Sequence, residues 1–170
     1  MATVVFRNWR DYPRKCMRHE ALADLNCSIA RSLSVLGERW TLVVLRQAFL
    51  GARRFEDYQR GLGIARNILT DRLRTLVEHG ILERRRYHER PPRYEYRLTQ
   101  KGRDLYPILL GLMKWGDEYA GTHGAPVVLR HKTCGQITQP HMVCTECGEP
   151  IDAREMQPEA GPGAAADAAA

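Results

Sequence analysis

The sequence predicts a mainly α fold with one small β-hairpin: a winged helix-turn-helix closed by a long terminal dimerisation helix. Three features predict it. A short helix, a glycine turn and a two-faced helix follow one another over residues 53–79. A hairpin crowded with arginine comes straight after them, and a helix with two apolar stripes follows the hairpin.

The elements run in this order. Residues 1–18 are basic and without an apolar period, and they form an arm ahead of a domain spanning 19–122. Asn26 stands before "CSIARSLSVLG", a short helix with Ile29, Leu33 and Leu36 on one face and Gly37 at its end. "ERWTLVVLRQAFLG" is apolar nearly all round, which predicts a helix at the centre of the domain, closed by Gly51. "RRFEDYQRGLG" is a third, short helix. After the turn "GIA", Leu69, Leu73, Leu76 and Val77 give the next helix an apolar face, with Asn67, Thr70, Asp71 and Arg74 on its polar face and Gly80 at its end. "ILERRRYHERPPRYEYRLT" alternates as a hairpin: Tyr94, Tyr96 and Leu98 lie on one side of the return strand and Glu95 and Arg97 on the other. Pro91 and Pro92 force a loop at the tip. Thr99 caps the last helix, 100–121, where Pro107 loosens or kinks the first turns. Its stripes are Leu105, Ile108, Leu109 and Leu112, and separately Tyr106, Leu110 and Met113, one for its own core and one for another chain. Tyr106, Leu109, Leu110 and Met113 are the expected dimer-interface residues. Residues 123–152 form an extension, and 153–170, ending "GPGAAADAAA", a disordered tail.

Charge points to a polyanion. The net charge is +6; residues 51–104 hold 14 Lys/Arg against 8 Asp/Glu, whereas 133–170 carry −5. A basic field on the helix–hairpin segment attracts nucleic acid. A major groove about 12 Å wide admits one helix that packs by one face and offers polar groups on the other. Asn67, Thr70 and Arg74 are the candidates for base edges, Asn suiting adenine and Arg guanine. Arg66 and Arg72, nearer the edges, suit phosphate, and Asp71 suits cytosine or holds an arginine in place. The hairpin adds Arg84, Arg85, Arg86, Arg90 and Arg93, and its proline-stiffened tip suits a minor groove or its flanking phosphates. Double-stranded DNA is therefore the expected partner. There is no paired-carboxylate or Ser/His/Asp arrangement and no glycine-rich phosphate loop, so an enzyme is not expected. No apolar run approaches the ~20 residues of a membrane span, and the N-terminus lacks a signal-peptide pattern, so the expected compartment is the cytoplasm.

"CSIARSLSVLGERWTLVVLRQAFLGARRFEDYQRGLGIARNILTDRLRTLVEHGILERR", followed by "YEYRLTQKGRDLYPILLGLMKWGDEY", resembles the HxlR-type winged helix-turn-helix regulators over about residues 25–120. The resemblance rests on Cys27, the Gly37-Glu38-Arg39-Trp40 helix start, Arg54-Phe55 with Leu62, the Leu69/Arg72/Leu73/Leu76 helix with Gly80, and Tyr96-Leu98-Thr99-Gly102. It implies a homodimeric bacterial transcription factor, more often a repressor than an activator, on a pseudo-palindromic operator, and it adds Arg54 to the DNA-binding candidates. It also implies a sensing role for Cys27 towards oxidants or electrophiles, near a helix N-terminus if Asn26 is the cap. An oxidant or a small molecule is the expected effector. Tyr106, Trp115 and Tyr119 are either a pocket for the latter or, the stronger expectation, plain core.

The extension carries a separate signal. Of five cysteines, Cys134, Cys144 and Cys147 cluster, while Cys16 and Cys27 stand apart. His131-x-x-Cys134-Gly135 and Cys144-x-x-Cys147-Gly148 repeat one ligand-x-x-Cys-Gly pattern, which predicts a structural Zn2+ site of His131, Cys134, Cys144 and Cys147, with His141 as the alternative histidine. A second functional class stays open: a winged-helix and zinc-ribbon module of the transcription machinery that binds protein rather than a DNA sequence. A third, a MarR-type regulator, would need a larger helical dimer domain.

Overall fold

The computed structural model of the chain describes residues 22–121 and 123–164. The N-terminal arm with Cys16, residue 122, and residues 165–170 of the expected disordered tail lie outside the described residues. The described residues divide into two compact units, one within residues 39–150 and one of residues 22–38 with 151–164.

The larger unit is built round α2 (Thr41–Phe49), whose Thr41, Val44 and Leu45 are fully buried. It packs against α3 (Phe55–Leu62), α4 (Arg66–Glu78), the strand β2 (Arg93–Leu98) and α6 (Tyr106–Tyr119), the central place its all-round apolar sequence predicts. The Asp57 carboxylate accepts the Arg54 N–H at 3.1 Å at the head of α3, half of a capping box, since arginine has no acceptor to complete it. Gly63 closes α3 at φ +63, a left-handed turn that frees α4 to start three residues later. Leu69, Leu73 and Leu76 are wholly buried along one side of α4, each contributing about 1.5–3 kcal/mol.

The strand β1 (Leu82–His88) pairs antiparallel with β2, with Leu82 opposite Leu98 and Arg84 opposite Tyr96, and a bulge between Arg86 and His88 leads into the tip. The sheet gains a short third edge that the sequence pattern does not reveal: the Tyr96 N–H donates to the Arg53 carbonyl at 2.7 Å, and Arg54 bridges to Glu95. The wing is thereby tied to the start of α3.

The expected last helix is two. Thr99 caps α5 (Gln100–Arg103), its hydroxyl accepting from the Gly102 N–H at 3.1 Å, and the chain turns before α6 begins at Tyr106. Pro107 lies in the first turn of α6, where a missing N–H costs nothing, so it starts the helix instead of bending it. Gly102 is obligatory, because a Cβ there would lie 2.2 Å from the Ile81 carbonyl oxygen.

In the smaller unit α1 (Ser28–Leu36) has Cys27, not Asn26, at its N-cap. The Asn26 amide instead donates to the Gly163 carbonyl at 2.9 Å, within a tail segment where residues 162–164 make one helical turn. Of the predicted apolar face only Leu36 is buried; Ile29 and Leu33 are exposed.

Candidate nucleic-acid interface

Helix α4 turns Arg66, Asn67, Thr70 and Arg74 to solvent. The Thr70 hydroxyl donates to the Arg66 carbonyl at 2.8 Å, which leaves its lone pairs outward. Asp71 accepts from both Arg72 and Arg74 and so holds arginine in place, one of its two expected roles. Arg72 departs from the phosphate-facing position the sequence implies. Its side chain is only 15% exposed, because at 3.6 residues per turn it falls beside the buried leucine stripe. Ile68, 37% exposed on the same helix, is an apolar contact the sequence reading passed over; an exposed isoleucine there suits a thymine methyl.

At α4, the head of α3 and the wing, arginines are seated on aromatic rings. Arg66 lies over Phe55 at 4.7 Å, Arg54 over Tyr87 at 4.7 Å and Arg84 over Tyr94 at 3.6 Å. A ring orders a guanidinium without cancelling its charge, so these cations stay available to phosphate. Arg86 is paired with Glu89 at 3.1 Å and Arg85 with Glu83 at 2.6 Å, whereas Arg90 and Arg93 at the wing tip make no ion pair among the described residues. Arg54, Arg60, Arg84 and Arg93 line one groove of about 570 Å3 between the start of α3 and the wing, where they outnumber the carboxylates Glu56 and Asp57. The structure thus brings Arg54, Arg84 and Arg93 together in one basic groove. The aromatic partners are not apparent from sequence, because Phe55 and Tyr87 are far from Arg66 and Arg54 in the chain.

Helix α6 buries none of its residues. Tyr106 packs its ring 4.8 Å from Phe49 of α2, and Leu109, Leu110 and Met113 are half-buried, so the four expected interface residues partly serve the chain's own core. The exposed stripe is Ile108, Leu112, Trp115 and Tyr119, with Trp115 61% and Tyr119 68% exposed, which corrects the expectation that these two rings are plain core. The expectation failed because only one side of α6 meets α2.

Cys27 is a half-buried free thiol. In the extension, His131 Nδ1 lies 3.3 Å from Cys134 Sγ, and Cys144 and Cys147 share one backbone turn, in which the Gly148 N–H donates to the Cys144 carbonyl at 2.9 Å. The backbone N–H groups of Cys147 and Glu146, with the Cys147 side chain, hold the Cys144 thiol below its ordinary pKa. The four predicted ligands therefore stand as two pairs, and among the described residues no three His, Cys, Asp or Glu groups gather as a metal site. No helix among the described residues is long and apolar enough to cross a membrane.

A helix-turn-helix with its polar face outward, a wing tied to its first helix and a basic groove between them define a winged-helix transcriptional regulator. The HxlR-like helix-turn-helix family matches residues 35–124, and the chain belongs to that family. It is 53% identical over 137 residues to the uncharacterized HTH-type transcriptional regulator Rv3095 of Mycobacterium tuberculosis, covering 80% of this chain and 87% of that one. Residues 1–124 hold at most 124 of those 137 positions, so the likeness runs on past the winged helix. The crystal structure of PA1607, a candidate transcription factor, superposes with a TM-score of 0.73 at 35% identity, over 82% of this chain and 98% of the other. The reduced form of the redox regulator HypR matches with a TM-score of 0.52 at 35% identity, over 55% and 94%.

Proposed function

We propose that this regulator acts as a homodimer on a pseudo-palindromic operator, and that repression follows from occupying a promoter. Helix α4 enters the major groove, Asn67, Thr70 and Arg74 read base edges, and Arg54, Arg66, Arg84, Arg90 and Arg93 grip phosphate or the adjoining minor groove. The observation that carries this is Arg66 of α4 seated on Phe55, a residue that also lines the groove in which Arg54 and Arg84 sit on Tyr87 and Tyr94. The apolar stripe Ile108–Leu112–Trp115–Tyr119 supports a second copy along α6, since a lone chain leaves those rings in water. An oxidant acting on Cys27 is the effector this reading favours; the thiol stands at the N-cap of α1, and HypR is a redox regulator. Cys27→Ser is expected to abolish release of DNA by diamide; unchanged release removes the sensor role.

The deciding experiment is binding of the purified protein to DNA from upstream of its own gene and to a scrambled fragment, over a salt series. Strong preference for the upstream fragment, with affinity falling steeply in salt, is expected. Equal, weak binding to both fragments, repeated over a genomic fragment library, overturns sequence-specific regulation and favours the protein-interaction module.

A further inference from the structure

We propose that the segment after the winged helix is a structural zinc ribbon, with His131 Nδ1, Cys134, Cys144 and Cys147 ligating one ion within one chain. A repeated backbone turn carries this. In the first half the Gly135 N–H donates to the His131 carbonyl at 2.8 Å and the His131 N–H donates to the Gln136 carbonyl at 2.9 Å. In the second half the Gly148 N–H donates to the Cys144 carbonyl at 2.9 Å and the Cys144 N–H donates to the Glu149 carbonyl at 2.8 Å. Gly135 and Gly148 close the two turns at φ +69 and +76. The same four backbone partners recur at the same offsets, and each turn holds its first and fourth residues together as a ligand pair. That geometry lets two side chains reach one tetrahedral ion, and glycine at positive φ lets the chain leave behind the second ligand.

Burial supplies the independent argument. Among the described residues of 123–150 none is buried, and only Leu129, Pro140 and Cys144 are half-buried. Val127, Val128, Ile137, Met142 and Val143 are exposed. A segment with no core of its own cannot offset the entropy of ordering two turns, whereas a metal bond set can. No three His, Cys, Asp or Glu groups gather among the described residues, so binding the ion draws the two pairs together across residues 136–143. Three thiolates with one imidazole are the donor set of closed, four-coordinate zinc, and ligation releases the three thiol protons. Two zinc charges against three thiolates leave the site at one negative charge, and Arg130 and Lys132 flank His131 to offset it; Arg130 also donates to the Gly135 carbonyl at 2.5 Å. His141 lies in neither turn, which assigns the fourth ligand to His131.

The test is metal content of the full chain purified under reductant, then incubated with Zn2+ and desalted, followed by exchange to Co2+. About one zinc per chain is expected. The Co2+ form is expected to show tetrahedral d–d bands and a thiolate-to-cobalt charge-transfer band. Cys134→Ser, Cys144→Ser, Cys147→Ser and His131→Ala each lose at least roughly fivefold in bound zinc, while Cys27→Ser and His141→Ala keep it. Because a ligand variant can unfold the segment, wild-type protein stripped by chelator provides a second readout: protease cuts within 123–150 appear on stripping and vanish when Zn2+ returns. Less than about 0.2 zinc per chain, about half an ion per chain, loss of metal in His141→Ala but not His131→Ala, or cleavage indifferent to Zn2+ each overturn the proposal. Metal content does not depend on DNA binding, so this result stands apart from the operator experiment.

Discussion

Asn67 and Arg93 differ in what they can tell one DNA sequence from another. On the proposed reading, an amide on the outward side of α4 pairs with a base edge, while a wing-tip guanidinium meets phosphate, which every sequence carries. Asn67→Ala is expected to narrow the gap between operator and mismatched DNA by about 1–3 kcal/mol. Arg93→Ala is expected to weaken binding to both alike and to flatten the slope of log K against log salt by about 1. Competition titrations at several salt concentrations separate the two; equal effects of both variants on specificity would reject the division of labour. Tyr58 poses a different problem. It is wholly buried and its ring meets Tyr96 edge-on, yet its hydroxyl has no hydrogen-bond partner among the described residues. Burial, opposed by nearby Arg53, holds its pKa far above the ordinary tyrosine value of 10.0. A raised folded pKa means stability is complete below pH 10 and is lost as pH rises further, because the unfolded chain ionises first. Tyr58→Phe is therefore expected to stabilise the domain by about 1 kcal/mol at pH 7 and to lessen the alkaline loss, read by urea denaturation at pH 7 and pH 10.5.

The elements hold together through a few close approaches. α5 is four residues long and stays in place because Thr99 caps it and Gly102 rests on the Ile81 backbone. Gly102→Ala puts a methyl against a carbonyl that has no side-chain freedom to yield. A loss of about 2–3 kcal/mol is expected, and a variant as stable as the parent in urea would show that the hairpin base shifts freely. The wing shows how much of an interface depends on pairing between elements. The alternation of Tyr94, Tyr96 and Leu98 in the sequence predicts the hairpin, and its register sets Arg84 opposite Tyr96 and diagonal to Tyr94, over whose ring the guanidinium lies. The bond from the Tyr96 N–H to the Arg53 carbonyl, absent from any local pattern, ties the wing to α3.

At the scale of the whole molecule, the proposed homodimer would link the basic field to the exposed stripe of α6. Such a dimer would double the phosphate contacts on one DNA and cover Trp115 and Tyr119. Leu112→Glu with Trp115→Glu is expected to yield a monomer in sedimentation and to cut operator affinity by more than about 100-fold, since a half-site contact loses its linked partner. A double variant that stays dimeric would place the interface elsewhere.

By itself the sequence determined the central helix, the two-faced α4, the hairpin and the Thr99 cap, because each is written in a local period or a capping residue that backbone geometry obeys directly. It also determined the ligand-x-x-Cys-Gly repeat, whose turns follow from positive-φ glycines. Only the tertiary structure decided which charged and apolar side chains remain outside. Arg72 turned inward beside the leucine stripe, Phe55 and Tyr87 became seats for arginines distant in the chain, and α6 exposed Ile108, Leu112, Trp115 and Tyr119 while Leu109, Leu110 and Met113 became half-buried. The reason is physical: a helix period fixes which residues share a face, but the packing of one helix on another fixes which face meets water.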